Sequence, residues 1–333
     1  MGVLIIAEVG SVHDGSLGNA LQLIDAAADC GAEAVKFQTH IAEAETLRDA
    51  PMPPYFQGEP RYEYLERTSF TQDQWRQLKD RCEARGVIFM SSPFSEEAVD
   101  LLEALGMTHY KIPSGEVTNL PLLEKIARLG KPVLLSSGMS TWDELDRAVK
   151  VVRAQHDLLT ALQCTTEYPC PPERVGLNVM LEMKDRYGVR VGLSDHTLTI
   201  YAPLAAVTLG AQVIEKHFTL SRRMYGSDAP HSLEPEEFAE MVRGIRAVET
   251  MLASPVDKSE AGRYADMKEI FQKSVVAIVD IPAGAVIGRD MLGIKKPGTG
   301  LPAARIDELP GKRTARAVGR NQLLQDDDIR WES

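Results

Sequence analysis

Residues 189–196, VRVGLSDH, and residues 212–218, QVIEKHF, are short apolar runs that each carry a histidine at or near their end. Between them, residues 200–209 repeat their apolar positions with a helical period. The stretch therefore reads strand, helix, strand, the unit that joins two parallel strands by a right-handed crossover. The same alternation extends towards the N-terminus. Strand-like runs rich in Val, Ile and Leu fall at 3–9, 33–38, 87–92, 108–112, 132–137 and 159–164. Helical periods fall at 18–30, 71–85, 95–105, 119–129 and 141–155, and a last one at 234–252 starts near Ser232 and Pro235. Eight such units in about 250 residues match a (β/α)8 TIM barrel. A doubly wound open sheet is the competitor, but it has fewer strands as a rule and wants a G-x-G-x-x-G turn after the first. The first turn here, GSVHDGSLG (10–18), does not have that form.

Two segments break the rhythm. The connection 40–70 is long and carries Pro51, Pro53 and Pro54 with several aromatics, which predicts a lid or binding loop. After Met251 the composition changes. Residues 253–270 read as a linker, and 271–333 hold short β runs punctuated by P-A-G, K-P-G and L-P-G. The predicted division is a barrel over 1–252, the linker, and a small β-rich domain over 271–333. A domain of about 60 residues is marginal alone, so it is expected to pack on something, a barrel mouth first of all.

Charge and composition exclude several classes. A net charge of −11 argues against nucleic acid as a partner. No apolar run approaches the ~20 residues of a membrane span, and the first ten residues, MGVLIIAEVG, carry neither a charged leader nor a myristoylation pattern. Cys30, Cys82, Cys164 and Cys170 show no C-x-x-C spacing, so they read as free thiols of a cytoplasmic protein. The charge is uneven: from Phe271 onward ten Lys and Arg face eight Asp and Glu, and the acidic excess lies entirely in the preceding 270 residues. A mildly basic tail on an acidic body suggests that the two touch, between subunits or over an anionic ligand.

In such a barrel the chemistry sits at the C-terminal ends of the strands. Those ends read Glu8; Lys36 and Gln38; Ser91 and Ser92; Lys111, Ser114 and Glu116; Ser136 and Ser137; Thr165, Thr166 and Tyr168; Ser194, Asp195 and His196; Glu215 and His217. Residues i and i+2 share a strand face, so Ser194 faces with His196, Glu215 with His217 and Lys36 with Gln38. The last two strands are neighbours in a closed barrel, which lets His196 and His217 reach one point. Two imidazoles near carboxylates suit a divalent ion with open, water-filled positions, Mn²⁺-like rather than a closed zinc site. Two histidines satisfied within the core are the alternative. Lys36 and Lys111, with Ser114, Ser136 and Ser194, offer cations and hydroxyls to a substrate bearing a phosphate and a carboxylate. Either lysine could instead form a Schiff base. Glu8 and Glu116 could act as acid, base or sugar ligand.

The ordered motifs IIAEVGSVHDGSL, GAEAVKFQTH, FMSSPFS, YKIPSGE, KPVLLSSGM, CTTEYPCP, VGLSDHT and EKHFTL, followed by GSDAPHSLEP, together resemble the N-acetylneuraminate (sialic acid) synthase family. SVVAIVDIPAGAVI with KKPGTG resembles its C-terminal antifreeze-like domain. The resemblance runs from about residue 3 to 330. It implies condensation of phosphoenolpyruvate with an N-acetylmannosamine-type or diacetamido-trideoxy hexose aldehyde, with release of phosphate. It also implies a homodimer in which the antifreeze-like domain of one subunit covers the other's active site. Carried over by motif, His196 and His217 would hold the metal, with Mn²⁺ first and Mg²⁺ or Co²⁺ as alternatives, and His217 would also be catalytic. Lys36, Lys111, Ser114, Ser136, Thr166 and Ser194 would hold phosphoenolpyruvate. Glu8, Glu116, Tyr168, Gln38 and Asp228 would act on or position the sugar and the attacking water, and Lys296 would reach the sugar's acyl group.

Four positions depart from the family pattern: Val12 replaces an amide, Gln163 a frequent His, Thr166 a frequent Asn and Lys296 a frequent Arg. Lysine cannot reproduce the planar bidentate contact of an arginine. Two other readings remain beside the synthase: a Schiff-base pyruvate aldolase, and a sugar-binding relative without catalysis.

Overall fold

In the computed structural model, which describes residues 2–51 and 58–331, eight parallel strands close into a barrel in chain order. They are β1 (Leu4–Gly10), β2 (Ala34–Thr39), β3 (Ile88–Pro93), β4 (Tyr110–Ile112), β5 (Val133–Ser136), β6 (Leu159–Cys164), β7 (Arg190–Asp195) and β8 (Val213–His217). The ladder closes where β1 pairs with β8, opposing Glu8 to His217, and on its other edge with β2, opposing Glu8 to Lys36. The strand runs read from the sequence correspond to these eight.

Strand parity divides the barrel's interior into a plug and a reactive floor. Ile6, Ala34, Met90, Leu134, Leu162 and Val213 form one inward-facing apolar cluster. Two residues further along the same six strands stand Glu8, Lys36, Ser92, Ser136, Cys164 and Glu215, which line a cavity. The apolar layer seals the barrel below while the next layer is free to be polar. Gly192 belongs to the plug level on β7. A Cβ there would strike the Val213 carbonyl oxygen and lie 2.7 Å from Leu162 Cδ2, so glycine is what lets the strands approach. The outward-facing residues, such as Ile5, Val35, Phe37 and Leu193, pack under the helices against Leu23, Ile24, Leu78 and Ile245.

The helices start where their sequences cap them. Thr71 with Gln74 and Thr141 with Glu144 form capping boxes for Gln72–Ala84 and Trp142–Arg153. Ser16 and Ser95 cap Leu17–Asp29 and Glu96–Ala104. Each such cap contributes about 1 kcal/mol. Several details refine the sequence reading. The helix expected from Ser232 or Pro235 is Pro235–Ala253, capped by Glu234, while the Ser232 hydroxyl donates to the Asp228 carbonyl. A helix at Leu177–Tyr187, between two left-handed glycines, bridges β6 and β7, where the sequence reading names none. The 40–70 connection carries short helices at Ala42–Glu45 and Arg61–Thr68, and its Pro53 and Pro54 lie outside the described residues.

The chain divides into two units, Met1–Ser254 and Pro255–Ser333. In the second, the stretch read as a linker holds a helix at Ala265–Phe271. Beyond it, β9 (Ser274–Ala277) pairs antiparallel with β10 (Leu292–Lys295), and β11 (Arg313–Thr314) with β12 (Ile329–Arg330). These short strands surround a core of their own that includes Val275, Ile281, Ile287, Leu309 and Leu324. Among the described residues no helix is long and apolar enough to cross a membrane, and the four cysteines are free.

Candidate active site

The polar layer above the plug opens into a cavity of about 250 Å³. Of the residues singled out by sequence, Glu8, Lys36, Gln38, Lys111, Ser114, Ser136, Thr166, Tyr168, Ser194, His196, His217 and Asp228 all line it. Glu116 does not. It sits in the turn after β4, where its carboxylate accepts from Asn119 Nδ2 at 2.8 Å. Lys296 belongs to the second unit, exposed, with its ammonium 5.0 Å from the Phe271 ring centre. Val12 is fully buried in the apolar core rather than in the cavity.

The floor is a buried array of two lysines and two glutamates. Lys36 Nζ lies 2.7 Å from Glu8 Oε2 and 3.8 Å from Glu215 Oε1. Lys111 Nζ donates to Glu215 Oε1 at 2.7 Å, and Ser194 Oγ donates to the same oxygen at 3.0 Å. Burial alone would lower the Lys36 ammonium, but Glu215 and Glu8 outweigh it and hold it above the usual lysine range. Burial would raise the Glu215 carboxyl; Lys111 and Lys36 reverse that and hold it below the usual carboxylate range. Lys36 and Glu215 are thus each held in the ionised form by their neighbours. An incoming anion can draw on both ammonium groups.

The imidazoles converge. The His196 and His217 ring centres are 5.3 Å apart, and the Tyr168 ring stacks on His196 at 4.2 Å and meets His217 edge-on at 6.0 Å. His196 Nδ1 donates to the Thr165 carbonyl oxygen at 2.8 Å, which leaves the Nε2 lone pair available. Burial, with His217 adding to it, brings the His196 imidazolium down to about 3, so the ring is neutral near pH 7. Position is secured from outside the barrel. Lys216, between Glu215 and His217, points away from the cavity and binds Asp195 Oδ2 at 2.5 Å, while the same ammonium also reaches the Thr197 carbonyl oxygen. That pair ties β7 to β8 directly behind the two histidines.

Several polar atoms of this cavity find no partner among the described residues: Ser136 Oγ, Thr166 Oγ1, Glu215 Oε2 and His217 Nδ1. A buried polar atom left unmet costs about 1–3 kcal/mol, and four around one space indicate that a ligand meets them. For a metal ion the fit is partial in number and good in kind. Two imidazoles can supply two ligands, with His217 Nδ1 unengaged among the described residues. Among the described residues no group of three or more His, Cys, Asp and Glu is disposed to enclose an ion. Substrate and water would complete the sphere, as in a site that must stay open. For an anion, Gly138 supplies the room: a Cβ there would lie 2.5 Å from Ser114 Oγ and also strike Thr166 Oγ1, so the glycine lets those hydroxyls gather. At the opposite wall, Asp228 Oδ2 crowds Gly10, whose φ of +55° and missing Cβ admit the carboxylate. Ser227 Oγ donates to Asp228 Oδ1 at 3.2 Å.

Residues 23–257 match the NeuB family and residues 272–330 the SAF domain. The chain belongs to the NeuB family. Among its relatives in that family, N,N'-diacetyllegionaminic acid synthase of Campylobacter jejuni is 38% identical over 97% of this chain and 99% of that protein. Human N-acetylneuraminate-9-phosphate synthase is 37% identical over 97% of this chain and 91% of the relative. The crystal structure of an N-acetylneuraminic acid synthetase from Leptospira borgpetersenii in complex with citrate superposes with a TM-score of 0.70. It covers 80% of this chain and 91% of the other at 31% identity. NeuB membership accords with the motif resemblance, and the SAF domain is the small β-rich unit that follows the barrel.

Residues of the loops and of the helix Arg61–Thr68 complete the cavity wall: Ser11, His40, Arg61, Tyr64, Phe94 and Met139. His40, Arg61 and Tyr64 belong to the 40–70 connection expected to be a lid or binding loop, and His40 also continues the alternation of Lys36 and Gln38 beyond the strand. Glu215 appeared among the strand ends, but its place between the two lysines follows only from the closed barrel.

Proposed function

We propose that this protein is a nonulosonate synthase: it condenses phosphoenolpyruvate with an amino-sugar aldehyde, of N-acetylmannosamine or diacetamido-trideoxyhexose type, and releases phosphate. The observation that carries the reading is the convergence of His196 and His217 in one cavity with Lys36, Lys111 and unpartnered hydroxyls. Its relatives, an N,N'-diacetyllegionaminic acid synthase and an N-acetylneuraminate-9-phosphate synthase, support the same reaction class.

In this reading Lys36 and Lys111 neutralise the phosphate and carboxylate of phosphoenolpyruvate, and Ser114, Ser136, Thr166 and Ser194 hydrogen-bond their oxygens. Gln38 and Asp228 orient the sugar on the facing wall. A divalent ion bound by His196 and His217, Mn²⁺ with Mg²⁺ or Co²⁺ as alternatives, would supply Lewis-acid polarisation of the aldehyde oxygen. Attack by C3 of phosphoenolpyruvate on the aldehyde carbon leaves C2 electron-poor. Water adds there, and Glu8, on the cavity floor, is the carboxylate placed to take its proton. Phosphate leaves as the 2-keto acid forms. Tyr168, stacked on His196, keeps that ring aimed inward. Glu116 acts at the rim, on the sugar rather than on the reacting carbon. The protein works as a homodimer in which the SAF domain of one subunit, with Lys296, closes over the cavity of the other.

The Schiff-base alternative needs a neutral amine, and Lys36 is held as an ammonium by two carboxylates. The deciding experiment is phosphate release from phosphoenolpyruvate with N-acetylmannosamine, its 6-phosphate, and diacetamido-trideoxyhexoses, with and without chelator. Aldehyde-dependent, chelator-sensitive release is expected with at least one sugar. Aldehyde-independent hydrolysis, or a pyruvate adduct trapped by borohydride with chelator harmless, refutes the reading.

A further inference from the structure

A chain of hydrogen bonds leaves the cavity from Glu8 and Gln38 and ends on two residues with no role in the reaction described above, His40 and Glu45. Lys36, Gln38 and His40 alternate along the end of β2. Gln38 Nε2 donates to Glu8 Oε1 at 2.9 Å, and Gln38 Oε1 faces His40 Nε2 at 3.1 Å. The other ring nitrogen, His40 Nδ1, faces Glu45 Oε1 at 2.8 Å. Glu45 is itself fixed, because its second oxygen accepts from the Ile41 backbone N–H at 3.3 Å. The His40 and Glu45 side chains are 9% and 4% exposed, and the His40 ring stacks on Phe94 at 4.2 Å with the planes 22° apart.

Donor and acceptor chemistry leaves one consistent assignment. The Glu45 carboxylate accepts only, and so does the amide oxygen of Gln38. Each therefore takes a proton from His40, and a neutral imidazole has one N–H, not two. Turning the Gln38 amide over would satisfy a neutral His40 but would aim the amide oxygen at the Glu8 carboxylate, acceptor against acceptor. With Glu8 and Glu45 both as carboxylates, the chain closes only when His40 carries a proton on each ring nitrogen. Two other ionisable groups sense it. Glu116, in the turn after β4, is raised chiefly by burial, with Glu45 adding and His40 opposing. His13, in the loop after β1, is lowered to about 3 by burial and then by His40.

We infer that His40, charged and clamped by Glu45, is a positioning residue that locks the Gln38 amide with its N–H towards Glu8. The lock keeps the Glu8 carboxylate held between the Lys36 ammonium and the Gln38 N–H. The effect on turnover rests on the synthase reading above, whereas the protonation of His40 does not.

The test has two arms. Protein labelled with ¹⁵N-histidine, which contains seven histidines, is examined by NMR at pH 7, with His40 assigned by its loss in His40→Phe. Both His40 nitrogens should carry protons, and Glu45→Gln should leave a neutral ring with one. A neutral His40 in the wild-type protein overturns the inference. In the second arm, His40→Phe keeps the stacking on Phe94 and offers no N–H. It should lower kcat by about 10- to 100-fold, with the KM for phosphoenolpyruvate within about twofold and Tm within about 2 °C. An unchanged kcat overturns the positioning role even if His40 proves charged. Should the wild-type protein release no phosphate at all, the synthase reading fails and the NMR result alone judges the charged clamp.

Discussion

In the proposed reaction His217 is the residue on which the chemistry turns. It ends β8, its ring meets that of Tyr168 edge-on, and its Nδ1 has no partner among the described residues. Its partner ring, His196, is anchored through Nδ1 and offers Nε2. Replacing His217 by alanine removes half of the protein's contribution to a two-imidazole site without touching the plug beneath. His217→Ala should therefore abolish aldehyde-dependent phosphate release, a loss of at least about 1,000-fold, and Mn²⁺ binding by calorimetry should fall with it. The far-ultraviolet circular dichroism should stay as in the wild type. Near-normal phosphate release in this variant would sink the ligand assignment. At this scale much of the site was legible, because parity along a strand says which residues share the inner face. Lys36 with Gln38, Ser194 with His196, and Glu215 with His217 follow from that rule alone. Arg61, Tyr64 and Phe94 do not, since they arrive on loops and a short helix whose place around the mouth no local period encodes.

Between β7 and β8 the element-scale device is the pair Asp195 and Lys216, with side chains 1% and 0% exposed. Asp195 also accepts from the Thr197 backbone N–H and hydroxyl, so both ends of the pair are met by further polar groups. Removing one partner strands a charge in the layer between strands and helices. Lys216→Met should cost about 3–5 kcal/mol in urea unfolding, and the double variant Asp195→Asn, Lys216→Met should recover most of it. A single-variant cost below about 1 kcal/mol would mean that the strand ends are held by something else. An apolar run announces β8, yet the same parity that turns Glu215 and His217 inward turns Lys216 towards the helices, where solvent is absent. Only the partner on the neighbouring strand explains a lysine there. The helix Leu177–Tyr187 carries a similar lesson. Its buried side chains are Met180, Met183 and Tyr187, too few for a strong apolar stripe, and it is bounded by Gly176 and Gly188 in left-handed conformation.

For the whole molecule, the two units have separate cores. The barrel's helix-facing cluster runs from Val3 to Ile245, and that of the second unit from Val275 to Ile329, with no residue in common. The division was legible from composition, since the P-A-G, K-P-G and L-P-G turns mark a chain that can no longer build long helices. The acidic excess lies in residues 1–270, and the segment from Phe271 onward is mildly basic. Deleting residues 271–333 tests the covering role proposed for the second unit. The barrel should remain folded, because no side chain of its core is lost. All the cations and hydroxyls assigned to phosphoenolpyruvate come from the barrel, so its KM should stay within about twofold. In the proposed function Lys296 and the cover of the cavity come from the deleted segment, and on that reading the sugar's KM should rise and kcat fall as water enters the site. Steady-state kinetics of the truncated protein, with sedimentation to read its oligomeric state, make the comparison. A truncated enzyme with unaltered sugar KM and kcat rules out a covering role, and a rise confined to the KM for phosphoenolpyruvate would move the second unit's contribution to the anion instead of the sugar.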